Sequence, residues 1–308
     1  MSALTTLAQV KAQVMALSEH CVDDLVRVQD LTFEHLERVR IAGDPYPLQT
    51  IAQRSICSRL AIPFEYLRRC PREIQAQNLN YWLTQERNDQ LFFRFDGAQV
   101  RAIFTPRYQP VDNLEVVERL EELGYGGEVQ VQCRLDAQFL SLSIPDSGQT
   151  FSVNGDQITP GLSIANSEVG LSSLRISAFF LRLKCTNGLI ARTQISAAYR
   201  HVSRRILEEL PSVLAEVAGQ LHQQRDKFRI SLESRVDEPL TTIHSFNRQF
   251  QLAKREQEAV IRGYHHEPGP TLFHIINAYT RAAQYPDLSA EETYRLQTVG
   301  GNILAMVK

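Results

Sequence analysis

Residues 163–190 read SIANSEVGLSSLRISAFFLRLKCTNGLI. Two polar marks, Asn166-Ser167-Glu168 and Thr186-Asn187-Gly188, bracket an apolar run threaded with Arg175, Arg182 and Lys184. Read as one or two strands, the stretch makes the middle of the chain a sheet, with Asn187-Gly188 turning into a further strand over Leu189–Ser196. Read as a helix inside 171–183, it does not. The strand reading is the expectation.

The neighbouring sequence supports a sheet. Upstream, GEVQVQCRLD (127–136) and QFLSLSIP (138–145) both alternate at period two. The segment between Gly148 and Asn166 is rich in Gly, Asn, Asp and Pro, with a turn at Asn154-Gly155 and a strand at 161–166. Further back, LFFRFDGAQVRAIFT (91–105) places Asp96-Gly97 between β-formers, a strong hairpin signal. Val111–Leu123, with the stretch NLEVVERLEELG, reads as a helix, with Asp112 or Asn113 as cap and Gly124 as stop.

The flanks read as helices. Leu4, Leu7, Val10, Val14 and Leu17 recur at three- and four-residue steps. Thr50–Leu60 has a helical pattern, and Pro63 and Pro71 each open a helix, the second carrying the only tryptophan, Trp82. A short strand is expected near Leu25–Val28, and AGDPYPLQ (42–49) reads as a loop. From Ala197 the chain turns helical again, with Pro211 as a kink or break, helices at about 240–263 and 270–284, and a last one from about Ala290. The fold class expected is α+β: a central antiparallel sheet with helices (89–200), between a mostly helical N-terminal part (1–88) and a helical C-terminal part (201–308).

Charge is organised rather than abundant. The 308 residues carry 35 acids and 33 lysines plus arginines, a formal net charge of −2. The whole molecule is therefore not a basic polyanion binder, and a nucleic-acid site must come from charge segregation. Such segregation is visible: from Val169 to Leu207 there is no Asp or Glu over 39 residues. Arg182 and Lys184 share a strand face, because side chains repeat every two residues. Arg200 and Arg204 share a helix face. With Arg192 and Tyr199 they form a candidate phosphate- and base-binding run. The competing reading pairs these arginines with acids elsewhere in the chain, Glu208, Glu209 or those at 121–123.

The hairpin supplies a second basic and aromatic set: Arg94, Arg101, Arg107 and Tyr108. If Phe93 and Phe95 face the core, their neighbours face out. Arg94 and Arg101 stand nearly opposite across the turn, where like charges repel unless an anion bridges them. Exposed aromatics beside arginines suit unstacked bases. The competing reading is a half-buried hairpin with a solvated arginine face.

Other chemistries lack a handle. Five widely spaced cysteines, none in a C-x-x-C pair, point to reduced thiols, not to a disulfide framework or a zinc site. His265-His266 are adjacent and stand in a Pro/Gly loop, and no phosphate- or dinucleotide-binding glycine motif occurs. Ser167 in NSEVG has no G-x-S-x-G elbow around it, so the loop reads as a turn before it reads as catalytic. No apolar run reaches the roughly 18 residues of a membrane-spanning helix. The N-terminus lacks the features of a signal peptide.

Five stretches in order, VRAIFTPRYQPVDN (100–113), GLSIANSEVG (161–170), FFLRLKCTNGLI (179–190), Arg200-His201 and FHIINAYTRAAQ (273–284), resemble the phage/plasmid-like family known as domain of unknown function 932. The resemblance implies a mobile-element origin and leaves the chemistry open. A distant fold-level similarity to single-strand annealing proteins is inferred from it. The expectation is a cytoplasmic, non-enzymatic, cofactor-free protein. It would bind single-stranded DNA through Arg94, Arg101, Arg107, Tyr108, Arg182, Lys184, Arg192, Tyr199, Arg200 and Arg204. It would assemble into a ring or filament and anneal strands in recombination without ATP. The alternatives are a protein-interaction accessory factor and an enzyme using NSEVG.

Overall fold

The structure is a computed structural model that describes residues 4–153, 155–182, 187–191, 197–199, 211–212, 215 and 221–307. At 153, 187–191, 197–199 and 221–225 the description covers the backbone alone. The chain order begins β1 (Thr5–Thr6), α1 (Leu7–Ser18), β2 (Cys21–Arg27), β3 (Leu31–His35), β4 (Arg38–Ile41) and β5 (Asp44–Pro47). It continues α2 (Thr50–Arg59), α3 (Phe64–Leu67), α4 (Arg72–Leu83), β6 (Gln90–Asp96), β7 (Gln99–Phe104) and α5 (Asn113–Glu122). Then come β8 (Gln130–Leu135), β9 (Leu140–Pro145), β10 (Phe151–Val153), β11 (Asp156–Asn166), β12 (Leu174–Arg182), β13 (Asn187–Ala191) and β14 (Ala197–Tyr199). The last described elements are α6 (Leu221–Glu233), α7 (Pro239–Gln249), α8 (Lys254–His266), α9 (Leu272–Ala282) and α10 (Ala290–Ala305). The fold is α+β with antiparallel sheets, as the period-two segments imply.

The chain divides into two compact units. The first comprises Met1–Ala12, Val111–Ser167 and Leu171–Lys308. Its sheet runs β1-β8-β9-β11-β12-β13, with β10 on β11 and β14 on β12. The deciding stretch is therefore strand, not helix. β12 pairs with β11 from Ile158↔Arg182 to Ala165↔Arg175, and it is buried on both faces. That double burial is why the stretch reads as a continuous apolar run. α10 packs on β9 and β13. Its Ser289 cap accepts from Glu292 N while Glu292 reaches back to Ser289 N at 2.8 Å. α8 and α9 cross closely at Gly263, where a Cβ would lie 2.4 Å from Ala278 O. The single helix expected over 240–263 is two, broken where Gln251 adopts φ +52°.

The second unit comprises Gln13–Pro110 and Glu168–Gly170. It holds two three-stranded sheets, β2-β6-β7 and β3-β4-β5. Its core joins Phe33, Leu36, Val39, Ile56, Leu67, Leu79, Leu91, Phe93 and Val100. The Asp96-Gly97 hairpin forms as read. The N-terminal 88 residues are not mostly helical, however: β1–β5 interleave with the helices. AGDPYPLQ, read as a loop, contributes β5. Pro45 and Pro47 fit there because β5 is an edge strand and its partner is β4 alone. No helix among the described residues is long and apolar enough to cross a membrane.

Candidate functional site

The hairpin arginines come first. Arg94 lies on β6 opposite Asp23 of β2. Its Nε and Nη2 donate to the two Asp23 carboxylate oxygens at 2.8 and 3.0 Å, and its Nη1 donates to Glu168 O at 3.1 Å. Arg101 on β7 donates to Glu168 Oε2 at 2.8 Å. Arg94 is 2 % and Arg101 5 % exposed. The expectation that both face outward towards phosphates is corrected. An arginine taken out of water needs a carboxylate at hydrogen-bond distance to offset its desolvation, and each has one. The anion that relieves the repulsion between them belongs to the chain itself: Glu168 of NSEVG takes one arginine on its carbonyl and the other on its carboxylate.

The rest of the hairpin set divides. Tyr108 is half-buried, stacks on Phe104 at 3.8 Å and 4°, and donates from Oη to Glu168 O at 3.4 Å. Arg107 is exposed. Among the described residues Arg107 has no side-chain partner, so it is the one hairpin arginine available to a ligand.

Arg182, at the end of β12 in the first unit, is also corrected from an outward phosphate contact to a buried ion pair. It is 6 % exposed. Its Nε and Nη2 donate to Asp156 Oδ2 at 3.0 and 2.7 Å, and its Nη1 and Nη2 to the Glu267 carboxylate at 2.7 and 2.9 Å. The guanidinium lies 5.1 Å from the centre of the Phe273 ring. Burial works against its charge, but the hydrogen bonds to Glu267 and Asp156 outweigh burial and leave its pKa raised. Arg182 thus borrows its acids from β11 and from just beyond α8. Lys184, Arg192, Arg200 and Arg204, and the acids Glu208 and Glu209, lie outside the described residues. Tyr199 ends β14, and its side chain also lies outside what is described. Of the acids at 121–123, Glu121 pairs with Lys11 at 2.7 Å and Glu122 with Arg119 at 2.7 Å.

NSEVG is a buried polar turn. Asn166 and Ser167 are both 0 % exposed. Asn166 Nδ2 donates to Val111 O and Asn113 Oδ1, each at 2.9 Å. Ser167 Oγ donates to Gln138 O at 2.7 Å and accepts from Leu171 N at 3.1 Å. Both partners are backbone groups, and among the described residues no base bonds the hydroxyl. Within the second unit, Gly170 has φ +87° and a Cβ there would lie 2.7 Å from the Phe104 ring, which explains a glycine at this point of the motif. Of TNG, Thr186 lies outside the described residues, and Asn187 and Gly188 open β13. Among the described residues no group of His, Cys, Asp and Glu is placed to hold a metal ion.

A second set of residues was not assigned a role from sequence. The C-terminal end of α4 and the loop after it enclose an open hollow of about 390 Å³ lined by Arg59, Trp82, Gln85, Glu86, Arg87 and Asn88. Trp82 is 45 % and its neighbour Tyr81 62 % exposed. Leu79 and Leu83 of the same helix are buried, and successive residues lie about 100° apart around a helix, so both rings turn outward. The floor is rigid. Arg59 donates to Glu86 Oε1 at 2.6 Å, and the Asn88 backbone N and Nδ2 both donate to that oxygen at 2.9 Å. Burial pushes the Glu86 carboxyl up, but the bonds from Arg59 and Asn88 more than offset it and hold it down at about 2. Arg87, exposed beside this knot, has no side-chain partner among the described residues; nor has exposed Arg69. The signal in the sequence was Tyr81-Trp82 followed within a few residues by Arg87.

No curated protein and no solved structure matches the chain. A family model matches residues 101–283, a span that takes in most of β7, the NSEVG turn, β12 and α9. That span is more than half of the 308 residues, and the chain therefore belongs to the family described as Domain of unknown function (DUF932).

Proposed function

We propose that this chain is a nucleic-acid-binding protein of a mobile element that holds single-stranded DNA and anneals it in recombination without ATP. The observation that carries the reading is the hollow beside Trp82, where an exposed indole and Arg87, which has no side-chain partner among the described residues, line one open surface. Unstacked bases gain from aromatic faces whatever their identity, and phosphates gain from arginines not already spent on carboxylates. Arg94, Arg101 and Arg182 do not meet the second condition, so the contacts are reassigned to Trp82, Tyr81, Arg87 and Arg107. Assembly into a ring or filament, which would join many such surfaces, belongs to the same proposal.

The test uses the single tryptophan. The full chain is titrated with oligo(dT) at low salt while Trp82 emission is followed. The expected result is saturable quenching that weakens steeply as salt rises, with Arg87→Ala lowering affinity and the salt slope together. Unchanged emission, together with unchanged anisotropy of a labelled oligonucleotide at low salt, would overturn the reading.

One observation favours a second reading, a protein-interaction factor. Tyr66, Ile74, Tyr81 and Trp82 are all exposed along α3 and α4, and an apolar surface of this kind also suits a protein partner. A chain that ignores oligo(dT) but co-purifies with one specific protein, and loses it on Tyr81→Ala, supports that reading instead.

A further inference from the structure

A second hollow lies wholly within the first unit, between β12 and α10. It encloses about 270 Å³ and is lined by Phe139, Ser172, Arg175, Glu291, Tyr294 and Val299 among others. One side is aromatic and buried: Phe139 is 1 % and Tyr294 8 % exposed, and their rings meet at 5.5 Å and 43°. Two arginines line it. Arg295 is spent, because both of its ends bond to Glu256, a carboxylate with 0 % exposure. Arg175 is not. It shares a hydrogen bond with the Tyr294 hydroxyl, but no carboxylate among the described residues reaches it, and its Nε is shielded from water without any hydrogen-bond partner.

This contrast is informative because Arg94, Arg101 and Arg182 each hold a carboxylate at hydrogen-bond distance. A half-buried guanidinium left without one, beside two tilted, buried rings, has the chemistry of an anion site. The structure assigns this hollow, we propose, as a binding site for a small organic anion. Its carboxylate or phosphate is held by Arg175, and its flat apolar body lies along Phe139, Tyr294 and Val299. Glu291, at the rim of the same hollow, limits the net charge the site accepts. Burial pushes the Glu291 carboxyl up. The site is independent of the Trp82 surface and stands whether or not the chain binds DNA.

The probes are benzoate, phenyl phosphate and the neutral benzamide, each titrated into the full chain by calorimetry. At least one of the two anions is expected to bind saturably, with benzamide at least tenfold weaker, and the stronger anion reports whether carboxylate or phosphate is preferred. Arg175→Gln should abolish binding and Arg175→Lys should retain part of it. Ser172→Phe, which adds bulk to the lining without touching the guanidinium, should block the probes in a folded chain. Failure of both anions to bind would overturn the proposal. So would benzamide binding as tightly as the anions, or undiminished binding in folded Arg175→Gln or Ser172→Phe.

Discussion

Arg101 and Glu168 meet at 2.8 Å with less than a tenth of either side chain exposed. One residue comes from the hairpin and the other from NSEVG, 67 positions later. The same glutamate accepts Arg94 on its backbone carbonyl. The motif read as a turn is thereby the internal counter-charge of two arginines that were read as phosphate ligands.

Glu168→Gln is expected to leave Arg101 as an uncompensated buried cation. Breaking a buried pair from one side costs on the order of 3–5 kcal/mol, read as a lower midpoint in urea denaturation. Oligo(dT) affinity of the folded fraction should be unchanged. A stable Glu168→Gln chain that lost only a turnover would instead point to the enzyme reading.

Arg182→Ala leaves Asp156 and Glu267 facing each other without their shared cation. A loss of similar size, about 3–5 kcal/mol, is expected, measured by chemical denaturation. The salt dependence of DNA binding should not move, because the guanidinium is not on the surface. A reduced salt slope with full stability would restore Arg182 as a phosphate contact.

The Glu86 carboxyl sits at about 2 when folded, below the ordinary value of 4.5. A depressed acid contributes stability that is present above the unfolded value and lost as pH falls through the folded one. Acid unfolding of the second unit should therefore steepen between about pH 4.5 and 2. In Glu86→Gln that component should be absent, and the chain should be less stable at pH 7 by about 1–3 kcal/mol through the lost charge-assisted bonds. Circular dichroism against pH for the two chains checks both statements.

Gly170→Ala should destabilise by about 1–3 kcal/mol. The backbone there has φ +87°, and the new methyl would press on Phe104, the ring on which Tyr108 stacks. Thermal unfolding of the variant measures the loss.

Much of this molecule was legible without coordinates. The Asp96-Gly97 hairpin, the strands at 130–145, the helix capped by Asp112 and the last helix from Ala290 rest on local rules, namely turn chemistry, side-chain period and capping, which need only near neighbours in sequence. The strand character of 174–182 was legible as an apolar run too long for a half-exposed element. Local pattern missed β3–β5, because an edge strand holding two prolines looks like a loop until its single partner is known. It also could not show which charges are spent. Arg94 finds Asp23 from 71 residues away, Arg101 finds Glu168 from 67, and Arg182 finds Glu267 from 85. Sequence determined where the arginines lie and that no acid stands near them in the run 169–207. Tertiary structure decided which of them meet a carboxylate and which, like Arg87, Arg107 and Arg175, meet none among the described residues. The physical reason is that burying a charge is costly enough to require a partner, yet that partner can come from anywhere in the chain.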